Sequence, residues 1–430
     1  MKRFLFAALC LVGAGAEAAE PQVSLSGSPT LSSDGVVTVA YTLSGAPAIM
    51  MADVQTNRGD GVFASAGAAA NRALYGDIRK YRATGSYVVK WDPALAGGAL
   101  TDVDAASVRI DVQAWATNAP PDYLVVDLLK TGDVTFYLTV GELPGSVNDL
   151  VYKTQKLVMR KIPAKEVRWK MGSPDGETGR AVKYETPHWV TLSEDYYLGV
   201  YPVTIGQCRS AGISIASSVV GRAEPDSSER PINGYNYNAV RGLSANGSGY
   251  DWPSDGHAVD SGSHLGKFRA NCGGALAFDF PTSAQWEYAC RAGTATAWNN
   301  GSNTDVDEVA WYDGNLVTTS LSWPVGRKRP NNWGLYDMHG LHREFCLDRF
   351  ITAYTLPVSD AEVRDPLGVD GTNPETSDGD RTHVRINRGG HYRASATETR
   401  SAAWDIQTVD HTHSQYGYRL CCPALYCGIQ

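Results

Sequence analysis

Three histidines near the carboxyl end suggest metal chemistry by their type and spacing. His411 and His413 stand two residues apart, and His391 lies earlier in the same stretch. Neutral imidazole is a good ligand for transition metals, so the three could form a metal site. Histidines on a polar loop are more often solvated, and the sequence leaves both interpretations open. The chain has no G-x-S-x-G, no H-E-x-x-H and no phosphate-binding Gly-Lys motif.

Cysteines are the second set of residues with possible chemistry. The chain has eight, and removing Cys10, which lies in an amino-terminal apolar run, leaves seven. They are Cys208, Cys272, Cys290, Cys346, Cys421, Cys422 and Cys427. The absence of C-x-x-C weakens a zinc-ribbon and a thioredoxin-like interpretation. An odd number means that at least one thiol stays free or pairs with another chain.

The first nineteen residues are typical of a signal peptide. Lys2 and Arg3 are followed by an apolar run from residue 4 to 13, and Ala16 and Ala18 supply the small residues of a cleavage site. The run is too short to span a bilayer, and no later run reaches the required length. We therefore predict an exported protein that is secreted, periplasmic or at the cell surface, without a transmembrane segment.

The bulk composition limits the function further. The chain has 430 residues, of which 43% are hydrophobic, so a sizeable core can be buried. The net charge is −8 and no basic block occurs, which argues against a nucleic-acid partner.

The first part, residues 20–142, is predicted to be a β-sandwich domain. Apolar and polar residues alternate with period two in several runs separated by turn residues. The clearest runs are 36–42, 87–91, 108–112 and 134–138. Strands of this kind favour an immunoglobulin-like sandwich, here without a cysteine to pin it. We expect this part to be a spacer or an adhesion module without catalytic activity.

After residue 142 the sequence changes to short apolar segments separated by polar loops. The whole chain is predicted to be of the α+β class. Residues 143–165 are interpreted as a linker and a first strand, and residues 166–425 as one domain poor in regular secondary structure. One helix is clear: it starts after the N-cap Thr282, runs from Ser283 to about Arg291 and stops at Gly293. Residues 241–268 and 354–384 are rich in Gly, Asp and Ser and are predicted to be surface loops.

Several short blocks of the second part resemble the formylglycine-generating enzyme family, also called sulfatase-modifying factors. They occur in family order, as Trp169-Lys-Met-Gly-Ser173, Glu185-Thr-Pro-His188, Phe280-Pro-Thr282 with Trp286-Glu-Tyr-Ala289, Trp333-Gly-Leu-Tyr-Asp-Met-His-Gly340, Arg388-Gly-Gly-His-Tyr392 and Tyr416-Gly-Tyr-Arg419. The resemblance implies a C-type-lectin-like fold. Fold alone does not establish activity.

Active members of that family oxidise a sulfatase cysteine to formylglycine with oxygen and copper. The resemblance implies two copper-binding cysteines shortly after the Gly-Gly element, but these positions hold Ala394 and Thr399. Neither side chain supplies the soft thiolate that copper(I) prefers, so copper is not expected.

The resemblance also implies a calcium ion in the loop after the central block. The matching positions are the side chains of Asp337 and Glu344 and the carbonyls of Gly340 and His342. Oxygen-only ligation in a tight loop suits this hard cation. Alternatively, the two carboxylates cap turns or pair with Arg343.

The family further implies a disulfide between a cysteine before the central helix and one after the closing element. Cys272 and Cys421 match these positions, and Cys421 is preferred over its neighbour Cys422. A second family bridge would use Cys290, but its partner position near Ala402 and Ala403 has no cysteine.

We therefore expect a diverged, non-catalytic family member that binds a ligand or an exported protein through its carboxyl-terminal loops. The expected binding residues mix aromatic and polar side chains, as binding surfaces do: Tyr392, Arg393, Trp404, Asp405, His411 and His413. The alternative functions are a formylglycine-generating or related oxidase acting on exported sulfatases, and a purely structural envelope protein.

Overall fold

The computed structural model describes most of the chain between residues 20 and 426. The described ranges are 20–57, 59, 61–97, 107–182, 184–216, 227–242, 259–316, 322–349, 362–366 and 384–426. The predicted signal peptide, Cys10, Cys427 and parts of the two predicted long loops lie outside them. Within these ranges no helix has the length and apolar character needed to cross a membrane.

The first part consists of short strands and one short helix. They are β1 (Gln22–Leu25), β2 (Thr30–Leu31), β3 (Val37–Ser44), β4 (Ala48–Asn57), β5 (Phe63–Ser65), α1 (Ala68–Arg72), β6 (Leu74–Gly76), β7 (Lys80–Arg82), β8 (Gly85–Trp91) and β9 (Val108–Trp115). One sheet has the order β1-β3-β8-β6 with β2 on β3, and the other joins β5, β7 and β9 to β4. The predicted sandwich is present, and alternate residues of β3, β4, β8 and β9 fill its core.

Strand β4 also joins the sandwich to the rest of the molecule. Met50, Ala52 and Val54 belong to the sandwich core, whereas Ile49 and Met51 belong to the large core of the second part. A strand with both faces buried must be apolar at successive positions, as β4 is from residue 48 to 52. The sandwich is thus packed against the second part through β4.

The second part begins with β10 (Tyr123–Asp127) and β11 (Val134–Tyr137). Its remaining elements are α2 (Leu150–Thr154), β12 (Lys156–Ile162), β13 (Val167–Met171), β14 (His188–Leu192), β15 (Tyr196–Gly199), α3 (Ile205–Ser210), α4 (Tyr237–Arg241), α5 (His264–Asn271), α6 (Ser283–Arg291), β16 (Ala310–Trp311), β17 (His339–Gly340), β18 (Arg343–Arg349), β19 (Glu362–Arg364), β20 (Val384–Arg388), β21 (Trp404–Thr408), β22 (Tyr416–Gly417) and β23 (Cys421–Pro423). The α+β class is confirmed. Helix α5 corrects the prediction of a loop over residues 241–268.

A five-stranded sheet shifts the predicted domain boundary. Its order is β11-β10-β12-β15-β23, so β10 and β11 pair with strands of the second part. The predicted sandwich domain 20–142 therefore includes two strands that belong elsewhere. The alternating pattern of residues 134–138 identified a strand correctly, but such a pattern does not specify which strand is its neighbour.

Helix α6 confirms the strongest local prediction. The hydroxyl of Thr282 accepts a hydrogen bond from the amide of Gln285 at 3.1 Å, and the Gln285 side chain accepts one from the Thr282 amide at 2.8 Å. This reciprocal capping box satisfies two amides that a helix start would leave unpaired. Ala292 and Gly293 then take positive φ values of 43° and 88° and end the helix.

The four-stranded sheet β21-β20-β18-β22 positions the candidate site. Arg388 lies opposite both Glu344 and Trp404, while Asn387 lies opposite both Phe345 and Asp405. Because neighbouring residues of a strand face opposite sides, these two sets lie on opposite faces of the sheet. The first face covers α6, and the second carries the polar residues considered next.

Candidate functional site

Eight polar side chains meet on the second face of this sheet and on the loops beside it. We call them the polar cluster: Arg343, His391, Arg393, Glu398, Asp405, His411, His413 and Tyr416. Of the predicted binding residues, Arg393, Asp405, His411 and His413 are in it. Arg343, Glu398 and Tyr416 were not predicted as binding residues, because their proximity depends on the pairing of distant strands.

Arg343 is the centre of the polar cluster. Its guanidinium donates to the carboxylate of Glu398 at 3.0 Å and also pairs with Asp405. The Arg343 side chain is only 9% exposed, whereas those of Asp405 and Glu398 are 44% and 50% exposed. A buried guanidinium thus holds two half-exposed carboxylates from different segments. Its main-chain amide also donates to the carbonyl of Gln415, which ties the histidine loop to the sheet.

Two of the histidines, His391 and His413, lie close enough to Arg343 to be affected by its charge. Burial and then Arg343 lower the pKa of His391, against the effect of Glu398, and the result is a pKa of about 4. Burial likewise lowers the pKa of His413, with contributions from His411 and Arg343. Both rings are therefore neutral near pH 7. In the described ranges, no three His, Cys, Asp or Glu side chains are grouped so as to hold a metal ion.

Two of the predicted binding residues lie apart from the polar cluster. Trp404 is next to Asp405 in β21 but points to the opposite face, where its ring meets that of Tyr184 edge-on at 5.5 Å. It lines a cavity of about 20 Å³, room for one water molecule, together with Glu185 and Arg388. Tyr392 is buried beneath the cluster, with its ring 5.6 Å from the His342 ring.

The positions of the two family cysteines are buried. Ala394 is 2% exposed and Thr399 is fully buried. The Thr399 hydroxyl donates to the Ala396 carbonyl at 2.8 Å and accepts a hydrogen bond from the Trp298 indole at 3.1 Å. Oxygen and methyl groups therefore stand where the family implies thiols.

One thiol lies close to this place. The sulfur of Cys290 is 3.7 Å from the Ser401 hydroxyl and 3.7 Å from Nε2 of His339. Burial raises the pKa of the Cys290 thiol to about 12 and lowers that of His339 to about 4, so the pair is neutral and poorly suited to nucleophilic chemistry.

The predicted disulfide between Cys272 and Cys421 is not formed in the structure. Cys272, Cys421 and Cys422 are all reduced and fully buried in the structure. Cys421 forms a β-bridge with Asp279, while the pKa of the Cys422 thiol is raised by burial and then by its neighbour Cys272. Adjacent residues of β23 face opposite sides, so Cys422, whose thiol is affected by Cys272, is a better candidate for pairing with Cys272 than the preferred Cys421.

The residues predicted to bind calcium are arranged differently from a calcium cage. Both carboxylate oxygens of Glu344 accept hydrogen bonds from the Arg419 guanidinium, at 2.8 to 3.1 Å, and one also accepts from the Trp286 indole at 2.6 Å. An arginine therefore provides the positive charge, as the alternative interpretation proposed, but it is Arg419 and not Arg343. With both Glu344 oxygens occupied by N–H groups, this carboxylate is not available as a calcium ligand in the arrangement observed.

Asp337 is the member of that set with an unsatisfied atom. Its Oδ2 accepts from the Gly326 amide at 2.6 Å, whereas the buried Oδ1 has no hydrogen-bond partner. The residue also has a positive φ of 56°, which Asp and Asn tolerate better than most side chains. Burial raises the pKa of Asp337 to about 6, against the effects of the Gly326 amide and Arg419.

We expect Asp337→Asn to stabilise the protein in a pH-dependent way. Folding raises the pKa of Asp337 from 3.8 to about 6. The contribution of Asp337 to the stability of the folded protein is therefore fully present below pH 3.8 and is lost as the pH rises through 6. Asparagine avoids this loss, so its advantage should approach roughly 3 kcal/mol at pH 7.5 and be much smaller at pH 4. Urea unfolding at both pH values measures it. Exposed Asp313→Asn is the control, and an equal effect of Asp337→Asn at the two pH values would contradict the prediction.

Comparison with known proteins identifies the family. The protein-family model of the sulfatase-modifying factor enzyme 1-like domain matches residues 162–423, which are more than half of the chain. Two further proteins are similar over shorter stretches. The chaperone protein LppX of Paenibacillus barcinonensis is 31% identical over 179 residues, which are 36% of this chain and 63% of that protein. The serine/threonine-protein kinase pkn1 of Chlamydia pneumoniae is 28% identical over 141 residues, 32% of this chain and 20% of that one.

Solved structures with a similar arrangement include PvdO from Pseudomonas aeruginosa and variable protein 1 from Treponema denticola. PvdO is 20% identical with a TM-score of 0.45, and the match covers 62% of this chain and 94% of PvdO. The Treponema protein is 23% identical with a TM-score of 0.45, and the match covers 66% of this chain and 97% of that protein. From the match over residues 162–423, this chain belongs to the sulfatase-modifying factor family, and its second part is the C-type-lectin-like domain of that family.

Proposed function

We propose that this protein is an exported, non-catalytic member of its family that binds a ligand or another exported protein through the polar cluster. The observation that carries the proposal is the arrangement around Arg343. A buried guanidinium fixes the half-exposed carboxylates of Glu398 and Asp405, with His413 and Tyr416 beside them. Surfaces that present fixed polar groups next to aromatic rings are well suited to recognition.

The side chains at the positions that match the family's copper-binding cysteines support a non-catalytic role. Thr399 uses its hydroxyl in two internal hydrogen bonds, and Ala394 has no ligating atom in its side chain. The nearest thiol described above, Cys290, is buried and held neutral beside His339. An oxidase would need two thiolates that can reach a copper ion and a substrate cysteine.

Binding is tested by presenting the purified full chain to glycan and peptide arrays. The variant Arg393→Gln/His413→Phe removes two polar groups of the cluster while keeping their bulk. Arg329→Gln, which changes an exposed arginine elsewhere, is the matched control. We expect the wild type and the control to bind the same array members, with at least about tenfold weaker signals for the double variant. Equal signals from all three proteins would contradict binding through the cluster.

Catalysis is tested separately with copper(I), oxygen and a cysteine-containing sulfatase peptide. We expect no aldehyde, because neither Ala394 nor Thr399 supplies a thiolate. Aldehyde formation by the purified wild type would instead establish the oxidase function.

A further inference from the structure

Hydrogen bonds within the polar cluster fix the proton positions of its three histidines. The Nδ1 atom of His391 accepts from the Arg393 amide at 3.1 Å, and that of His413 accepts from the Gln415 amide at 3.2 Å. The Nδ1 atom of His411 accepts from the side-chain amide of Gln407. A neutral imidazole that accepts at Nδ1 carries its proton on Nε2, so each ring presents an N–H donor there.

This proton arrangement distinguishes between a metal ion and a ligand rich in hydrogen-bond acceptors. A metal ion binds a ring nitrogen that has no proton, and here the unprotonated nitrogens are already used by N–H groups. The atoms left over are donors, which suit an acceptor-rich ligand instead. The histidine pattern that suggested a metal in the sequence therefore points to a different ligand once the hydrogen bonds are known.

Arginines add positive charge to the same place. The titratable and charged groups that act on His391 are Arg343, Glu398, His413 and Arg393, and both arginines also act on His413. Arg343 is already paired with Glu398 and Asp405, so its charge is compensated within the cluster. Arg393 is exposed, with its guanidinium 5.4 Å from the Tyr392 ring. The Nε2–H groups of His391 and His413, together with the five N–H groups of the Arg393 guanidinium, make the rim formed by these three residues rich in hydrogen-bond donors.

A buried histidine beneath this rim gives an independent indication of a missing partner. His342 is 1% exposed, and neither ring nitrogen has a partner within hydrogen-bond geometry, although the nearby Gln415 main chain acts to raise its pKa. Its ring is tilted by 52° against the Tyr392 ring, and after burial the neighbouring His391 is the main cause of its lowered pKa. Buried polar groups are nearly always paired in native proteins, so an unpaired imidazole indicates a water or ligand group at this point.

We propose that the rim of Arg393, His391 and His413 binds an oxyanion, that is, a phosphate, sulfate or carboxylate group carried by the ligand. The Nε2–H groups and the guanidinium donate to the anion oxygens, and charge-assisted hydrogen bonds of this kind are among the strongest. A water or an anion oxygen between the rim and His342 completes the pairing of that ring. This inference rests on the proposed function and specifies the class of ligand.

The test uses inorganic anions with the full chain. Sodium phosphate, sodium sulfate and sodium acetate are each compared with sodium chloride at equal ionic strength by thermal unfolding. Phosphate and sulfate stabilise most proteins by exclusion from the surface, so the quantity of interest is the difference between wild type and variant. We expect at least one anion to raise the Tm of the wild type and of Arg329→Gln by about 2 °C more than that of Arg393→Gln/His413→Phe.

The three anions distinguish the chemical source. A differential shift with phosphate or sulfate alone indicates a tetrahedral group, and one with acetate as well indicates a carboxylate. Equal shifts in all proteins for all three anions would overturn the oxyanion proposal. If the anion shifts are equal but the double variant still loses its array signals, only the proposed ligand class is overturned. If the double variant keeps its array signals as well, the proposed function also fails.

Discussion

Glu344→Gln is expected to destabilise the protein by about 3–5 kcal/mol. The substitution removes the charge that compensates Arg419, whose side chain is fully buried. The arginine would keep its hydrogen bonds to the carbonyls of Gly199, Val200 and Tyr336, but carbonyls do not neutralise a cation. The free energy of unfolding, measured with urea, gives the effect.

The control for this prediction is Glu308→Gln. Glu308 pairs with Arg329 at 3.1 Å, but both side chains are more than half exposed, so its loss should cost at most about 1 kcal/mol. Similar losses from both substitutions would show that Arg419 does not depend on Glu344. Calcium added after chelator treatment should leave the Tm of the wild type unchanged. A calcium-dependent rise that disappears in Glu344→Gln would favour the calcium cage instead.

Oxidation is expected to join Cys272 to Cys422 and to stabilise the protein by about 5 kcal/mol on the chain-entropy model, because the bridge closes a loop of about 150 residues. The bridge would attach β23 to the segment after α5. Both cysteines are buried, so the oxidised form is best obtained by folding under oxidising conditions. The free energy of unfolding with and without reductant measures the effect, and fragmentation spectra of non-reduced peptides identify the pair.

Two adjacent residues provide the matched variants for this experiment. Cys422→Ala should abolish the part of the stability that depends on oxidation, whereas Cys421→Ala should retain it, since the Cys421 side chain faces away from Cys272. The opposite result would restore the pairing with Cys421. Recovery of Cys272 as a free thiol from oxidised protein would refute both bridges.

Local sequence determined much of this protein. The capping box of Thr282 and Gln285 involves residues three apart, so the start of α6 could be predicted without knowledge of the rest of the chain. The period-two runs identified strands for the same reason, since side-chain alternation is a property of the single strand. The order of the family blocks from Trp169 to Arg419 correctly indicated the family, because each block is a short contiguous segment.

Tertiary structure alone decided which partners these elements have. The predicted strand at 134–138 pairs with β10 in the sheet of the second part, and β4 serves two cores, because a strand pattern specifies faces but not neighbours. The same reason applies to Cys421 and Cys422, which are equivalent in sequence until β23 pairs with β15.

The candidate site shows this division most clearly. His391, His411 and His413 were evident in the sequence, but the proton position on each ring is set by an N–H group that the fold brings to Nδ1. Glu344 was likewise evident, while its partner Arg419 lies 75 residues away along the chain. Charge and hydrogen-bond partners depend on distances in space, and across such separations only the packing of the strands determines those distances.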